Sequence, residues 1–162
     1  EHTAAFCGLA VQSRALADNL RGCTHVVMMA ATIGFGPELL SRKSTVTGRV
    51  TRALIADAAG SALIESWCDE VNDSIRHEAS ALGLFARPRF SPGYGDFPLE
   101  FQREIFNVLE VQKRIGITLS EQLLMLPAKS VTALIGLSPM NSRCPTAGCE
   151  SCSRSDTCAY RR

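Results

Sequence analysis

Aromatic side chains are scarce in this chain, 6% of 162 residues with a single Trp. Leu, Ile, Val and Ala must therefore build the core. An excess of one charge is missing too. Seventeen basic against sixteen acidic residues leave a formal net charge of +1. A nucleic-acid partner would call for a basic stripe, and the balance argues against one. No apolar run approaches the roughly 20 residues that span a bilayer. The longest, Val26 to Gly36, is too short and is interrupted by Thr32 and glycine. Repeats and low-complexity segments are absent. So are a Gly-x-Ser-x-Gly elbow, a phosphate-binding loop and a dinucleotide fingerprint, and no nucleophile has an obvious base near it. Hydrolase and kinase readings fail on that count. His2, His25 and His77 lie too far apart for a metal spacing.

What is present is an ordinary globular composition, 46% apolar and 20% charged, of a length that suits one domain. The anomaly is seven cysteines. Cys7, Cys23 and Cys68 are scattered, whereas Cys144, Cys149, Cys152 and Cys158 crowd the end of the chain. An odd count disfavours a fully paired secreted framework. The chain starts without a basic segment followed by an apolar run, as a signal peptide would have, and without an initiator Met, so a segment upstream of Glu1 is an open expectation. Together these features read as cytoplasmic, where clustered thiols more often bind metal or do redox chemistry. The tail spacing, Cys144-x4-Cys149-x2-Cys152-x5-Cys158, suits one tetrahedral Zn²⁺ or an iron–sulfur cluster. Arg143, Arg154, Arg161 and Arg162 would offset thiolate charge there. The competing reading is a tail whose thiols are incidental.

Periodicity supplies the elements. Gln12 to Gly22 reads as a short polar helix. Val26 to Ala31 reads as a buried strand. Gly34 to Pro37 reads as a turn from which Pro37 opens a short helix through Leu40. Val50 to Ala81 is the strongest helical signal, with Val50, Leu54, Ala58, Leu63, Trp67, Val71 and Ile75 marking its expected apolar stripe. The small residues 58–62 in its middle would admit another backbone or a ligand, or pack tightly on a sheet. Arg87 to Pro98 holds three prolines and two glycines in twelve residues, which excludes a helix or a central strand. Leu99 to Leu109 reads as an amphipathic helix and Ile115 to Leu119 as a strand. Ser120-Glu121 reads as a helix start before Leu123 to Met125, and Val131 to Leu137 as a buried strand. Helices and strands without regular alternation give an α+β fold, a single domain with a mixed or antiparallel sheet and long helices.

The 87–98 loop carries a resemblance. Arg89-Phe90-Ser91-Pro92-Gly93-Tyr94 with Pro98 resembles the Arg-x-x-Pro-Gly-Tyr-x-x-x-Pro signature of the activation domain of cobalamin-dependent methionine synthase. The likeness continues through Gly116-Ile117-Thr118-Leu119-Ser120-Glu121 and Met125-Leu126-Pro127-Ala128-Lys129-Ser130-Val131. Upstream, Asp57 and Leu63-Ile64-Glu65 are similar to the helix before the loop. The stand-alone activation subunit is the form most like this chain. On that likeness, residues 1–140 form the activation-domain-like unit and 141–162 a Cys-rich tail.

The resemblance implies S-adenosylmethionine binding. Arg89 would hold the ligand's carboxylate, and backbone around Ser91 and Gly93 its adenosyl part. Tyr94 would sit beside the methyl-donor end and Glu65 by the amino group. It further implies a role in reductive remethylation of cob(II)alamin. The cobalamin would be held by a partner, methionine synthase or another corrinoid protein, and a flavodoxin or ferredoxin would donate the electron. The chain would then be a module with half an active site rather than an independent enzyme. The alternative function makes Cys144, Cys149, Cys152 and Cys158 central, in an iron–sulfur or zinc protein that serves a corrinoid methyltransferase as redox or docking partner. The chain also departs from the family pattern. Phe97 stands where a Cys is common, the residues near Arg143 and Cys144 do not match a ligand-contacting pair, and the Cys cluster has no counterpart in the large enzyme.

Overall fold

The computed structural model describes residues 3–141. It opens with a hairpin that the sequence reading did not anticipate. β1 (Thr3–Phe6) and β2 (Leu9–Gln12) pair antiparallel across Cys7 and Gly8. Both turn residues have positive φ, 52° and 76°, as a two-residue hairpin turn demands. α1 (Arg14–Asn19) starts at Ser13, whose side chain accepts a hydrogen bond from the Leu16 N–H. Then come β3 (His25–Thr32), α2 (Gly36–Val46), the 32-residue α3 (Val50–Ala81) and β4 (Phe85–Ala86). A 3₁₀ turn at Leu99–Phe101 leads into α4 (Gln102–Leu109) and α5 (Val111–Ile115). A small hairpin of β5 (Thr118–Leu119) and β6 (Met125–Leu126) precedes β7 (Ser130–Ser138).

β7 is the hub. It lies between β3 and β4 in a three-stranded sheet whose pairs are all antiparallel. Successive side chains of a strand point to opposite faces, so β7 feeds two cores. Ala133, Ile135 and Leu137 pack with Met29 and Ala31 of β3 against Ile64, Cys68 and Ala79 of α3. On the other face Leu134 meets Leu16, Phe97, Phe101 and Ile105, with Ala4 and Val11 of the hairpin closing the cluster.

The α+β class, the bounds of α3 and the burial of the last strand stand as expected. Other expectations are corrected. Val26 to Ala31 lies in an edge strand, and within that run only Met29 and Ala31 are buried. α2 continues past Leu40 to Val46. Of Ile115 to Leu119, only Thr118–Leu119 is strand; α5 takes Ile115. Residues 120–124 form no helix. Ser120 and Leu124 close a hairpin turn by a backbone bond of 2.9 Å, with Leu123 at positive φ. The pairing of β5 with β6 on either side leaves these residues to the turn.

The stripe expected to be buried on α3 is largely exposed. Val50, Leu54, Leu63 and Trp67 face outward, and Ala53, Ala56, Gly60, Ile64, Cys68, Asn72 and Ala79 face inward. The reason lies in α2, which packs too close for large side chains. A Cβ added at Gly60 would lie 2.8 Å from Pro37 Cβ. The small middle of the helix thus admits a neighbouring helix.

Candidate functional site

The loop after β4 owes its path to β7. Arg87 N–H donates to Gly136 O at 2.8 Å, and Phe90 and Leu134 exchange both backbone bonds, at 2.8 and 2.9 Å. The chain then leaves the sheet at Pro92. Gly93 takes φ 92°, a conformation that L side chains resist, and its N–H donates to Phe97 O at 2.9 Å. Phe97 is buried and stacks on Phe90, ring centroids 6.1 Å apart, and lies 5.2 Å from the Phe101 ring. An aromatic anchor at Phe97 therefore ties the loop to the core.

The far end of the loop is pinned by Asp96. Its carboxylate accepts from Ser13 Oγ (2.6 Å), Arg14 N–H (2.7 Å) and Ala15 N–H (3.0 Å), capping α1 from 81 or more residues away. These bonds, the Ser13 hydroxyl foremost, hold the Asp96 pKa below its ordinary value.

Beside the loop opens a cavity of about 550 Å³ between α3, α4, β6 and β7. Arg89 forms part of its wall and is held by two carboxylates of α3. One guanidinium nitrogen donates to Asp69 at 2.5 Å and another to Glu65 at 2.7 Å. The Arg89 side chain is only 24% exposed, whereas both carboxylates are open to water. The Asp69 hydrogen bond, reinforced by Glu65, outweighs desolvation and raises the Arg89 pKa, so the group stays cationic at any pH the fold survives.

Of the residues expected at the site, Glu65, Arg89, Ser91 and Tyr94 all border this cavity, with Tyr94 mostly exposed. Gly93 shapes the turn and does not line it. The sequence reading missed Asp69, whose signal was its place one turn beyond Glu65 on the same helix face. It also missed Asn72, Arg76, Gln102 and Thr132 as wall residues.

Cys68 lies in the core beneath Arg89. Burial raises its thiol pKa, and the nearby guanidinium only partly opposes this; such a thiol is a poor nucleophile. Cys144, Cys149, Cys152 and Cys158 lie outside the described residues. Among the described residues no group of three or more His, Cys, Asp or Glu side chains is placed to hold a metal ion. No described helix is long and apolar enough to cross a membrane.

Comparison with known proteins fits this geometry. Residues 12–149 match the family model described as vitamin B12 dependent methionine synthase, activation domain. No curated protein matches the sequence. Among solved structures the fold is similar to that of the MetH reactivation domain bound to AdoHcy. The TM-score is 0.62 and the identity 21%, covering 73% of this chain and 40% of that one. The chain thus spans well under two thirds of the structure it matches, and the likeness is one of fold.

Proposed function

The chain belongs to the activation-domain family of vitamin B12 dependent methionine synthase, and from that premise we propose that it binds S-adenosylmethionine in the cavity beside the 87–98 loop. The observation that carries this reading is the ion cluster at the cavity, where Arg89 and Glu65 line the wall and Asp69 holds Arg89 from behind it. An amino-acid end is a carboxylate next to an ammonium. A guanidinium between two carboxylates offers the complement, because Arg89 has five N–H groups and spends only part of them on Glu65 and Asp69. The incoming ammonium shares the two carboxylates, and the incoming carboxylate takes the free edge of the guanidinium. The reactivation domain it resembles was solved with AdoHcy, the same ligand without its methyl group.

In this reading the loop pre-arranges the binding groups. Gly93 sets the turn, Phe97 anchors it in the core, and Asp96 fixes its far end to α1. Little ordering cost is left for the ligand to meet. Tyr94, largely exposed, stands at the opening from which a methyl group must leave. A corrinoid held by a partner such as methionine synthase would supply reduced cobalt as the methyl acceptor, with a flavodoxin or ferredoxin as the source of the electron, while Arg89, Glu65 and the loop hold the methyl donor. The C–S bond breaks and AdoHcy remains. The chain contributes one half of that active site, in the cytoplasm, with 1–140 as the ligand unit and 141–162 as a Cys-rich tail suited to zinc or an iron–sulfur cluster.

Isothermal titration of S-adenosylmethionine into the chain tests the reading. The wild type should release or absorb heat with a single-site isotherm. Arg89→Ala should bind about ten- to a hundredfold more weakly, the loss expected for charge-assisted hydrogen bonds, with little change in melting temperature because the ion pairs are exposed on the carboxylate side. An absence of binding by the wild type would sink the proposal.

A further inference from the structure

Three polar side chains on the wall of the same cavity carry an atom without a hydrogen-bond partner: Asn72 Oδ1, Gln102 Oε1 and Thr132 Oγ1. They come from three elements, α3, the first turn of α4, and β7. Each is more than nine-tenths buried, at 7%, 6% and 2% exposed. A buried polar atom left unpaired is costly, and folded chains keep few of them. Three around one cavity have the pattern of a recognition surface whose ligand is outside the free chain. Neither the loop signature nor the Arg89 cluster makes use of them.

The strand beneath adds main-chain groups. Leu134 exchanges its N–H and C=O bonds with Phe90, so at that residue the main chain of β7 points away from β3. In an antiparallel ladder this direction alternates residue by residue. The N–H and C=O of Thr132 therefore aim the same way, two residues along, where Pro92 and Gly93 have already carried the neighbouring chain off. β7 thus turns an open edge toward the cavity at Thr132.

We infer that Asn72, Gln102 and Thr132 read the base of the bound nucleoside, a flat heteroaromatic ring that carries an exocyclic amine beside a ring-nitrogen acceptor. The inference rests on the S-adenosylmethionine reading and assigns the buried end of that site. Arg89, with the water-exposed Glu65 and Asp69, takes the charged amino-acid end, which directs the opposite end of the ligand to the buried groups. The two amide oxygens accept from the amine, and the hydroxyl and main-chain N–H of Thr132 face ring nitrogens. Phe90 and Met125 border the same cavity and give the ring apolar surface to lie on. A 6-oxo base would set its oxygen against the amide oxygens and be rejected.

The test titrates AdoHcy and its inosine counterpart, S-inosylhomocysteine, into the wild type and three near-isosteric variants, Asn72→Leu, Gln102→Met and Thr132→Val. Each variant should lose about tenfold in affinity for AdoHcy, the size of one hydrogen bond, and should prefer adenine over hypoxanthine less strongly. Their melting temperatures without ligand should hold or rise, since each substitution removes an unpaired buried atom. Loss of binding with gain of stability is a combination that a purely structural role would not produce. Arg89→Ala should weaken both ligands alike and keep the base preference. Variants that bind AdoHcy as the wild type does, or keep its full base preference, would overturn the base assignment alone. A wild type that binds neither ligand would overturn the underlying reading with it.

Discussion

The two halves of α3 are built from similar residues and meet different partners. From Val50 to Gly60 the helix leans on α2, with Ala53, Ala56 and Gly60 turned inward and Ser41 Oγ of α2 donating to Ala53 O at 3.2 Å. From Ile64 to Ala79 it lies on the sheet, and Ile64, Cys68 and Ala79 join the core under β7. The first half needs small residues because another helix comes close. The second tolerates larger ones because a sheet stands farther off. The ion cluster and the cavity also belong to the second half, where Glu65 and Asp69 hold Arg89 of the loop and Asn72 lines the cavity. One helix thus divides its length between packing on α2 and walling the cavity, and the side chain at each position follows the partner it meets.

The contrast breaks first at Ile64, 5% exposed and set against the sheet. Ile64→Ala should cost about 2–5 kcal/mol, as large-to-small core changes do, read as a lower midpoint in urea or heat unfolding. A cost under about 1 kcal/mol would show that the sheet does not hold this half. The other half breaks in the opposite direction, by overfilling. Gly60→Leu should lose about 1–3 kcal/mol through forced separation from Pro37. The gain in helix propensity, roughly 0.5–1 kcal/mol relative to glycine, offsets only part of that. Because the cavity is lined from Glu65 onward, titration with S-adenosylmethionine should leave affinity in Gly60→Leu close to the wild type. A tenfold loss there would mean that the two tasks are coupled along the helix.

The smallest effect concerns the loop opposite the second half of α3. Since the folded pKa of Asp96 is depressed, its contribution is complete above the ordinary carboxylate pKa of about 3.9 and fades as pH falls through the lower folded value. Melting temperature against pH should therefore drop more steeply in the wild type than in Asp96→Asn below about pH 4. Parallel curves would exclude Asp96 as the acid-sensitive pin.

Much of the site was legible because its signature is local. Three prolines and two glycines dictate a rigid loop whatever surrounds them, and Arg89, Ser91 and Tyr94 became candidates through the resemblance of that loop to the family's signature. Glu65 was legible only through its likeness to the family's helix. Asp69 was not, since a carboxylate one turn along a charged helix looks like any solvated residue until Arg89 arrives from 20 positions away. Asn72 and Gln102 read as ordinary polar residues of two amphipathic helices, and nothing local marks Asp96 as the cap of a helix more than 80 residues upstream.

The sequence by itself determined the α+β class, the span of α3, the buried strand at β7 and the fixed loop, because propensity, periodicity and proline geometry act within a few residues. Only the tertiary structure decided which face of α3 is buried, which carboxylates hold Arg89 and which polar atoms meet in one cavity. Those outcomes depend on the size and charge of a neighbour distant in the chain. Hydrophobicity marks Leu54 and Trp67 as candidates for the interior, but the close approach of α2 at Gly60 and of the sheet at Ile64 and Cys68 fixed the side of the helix that has room.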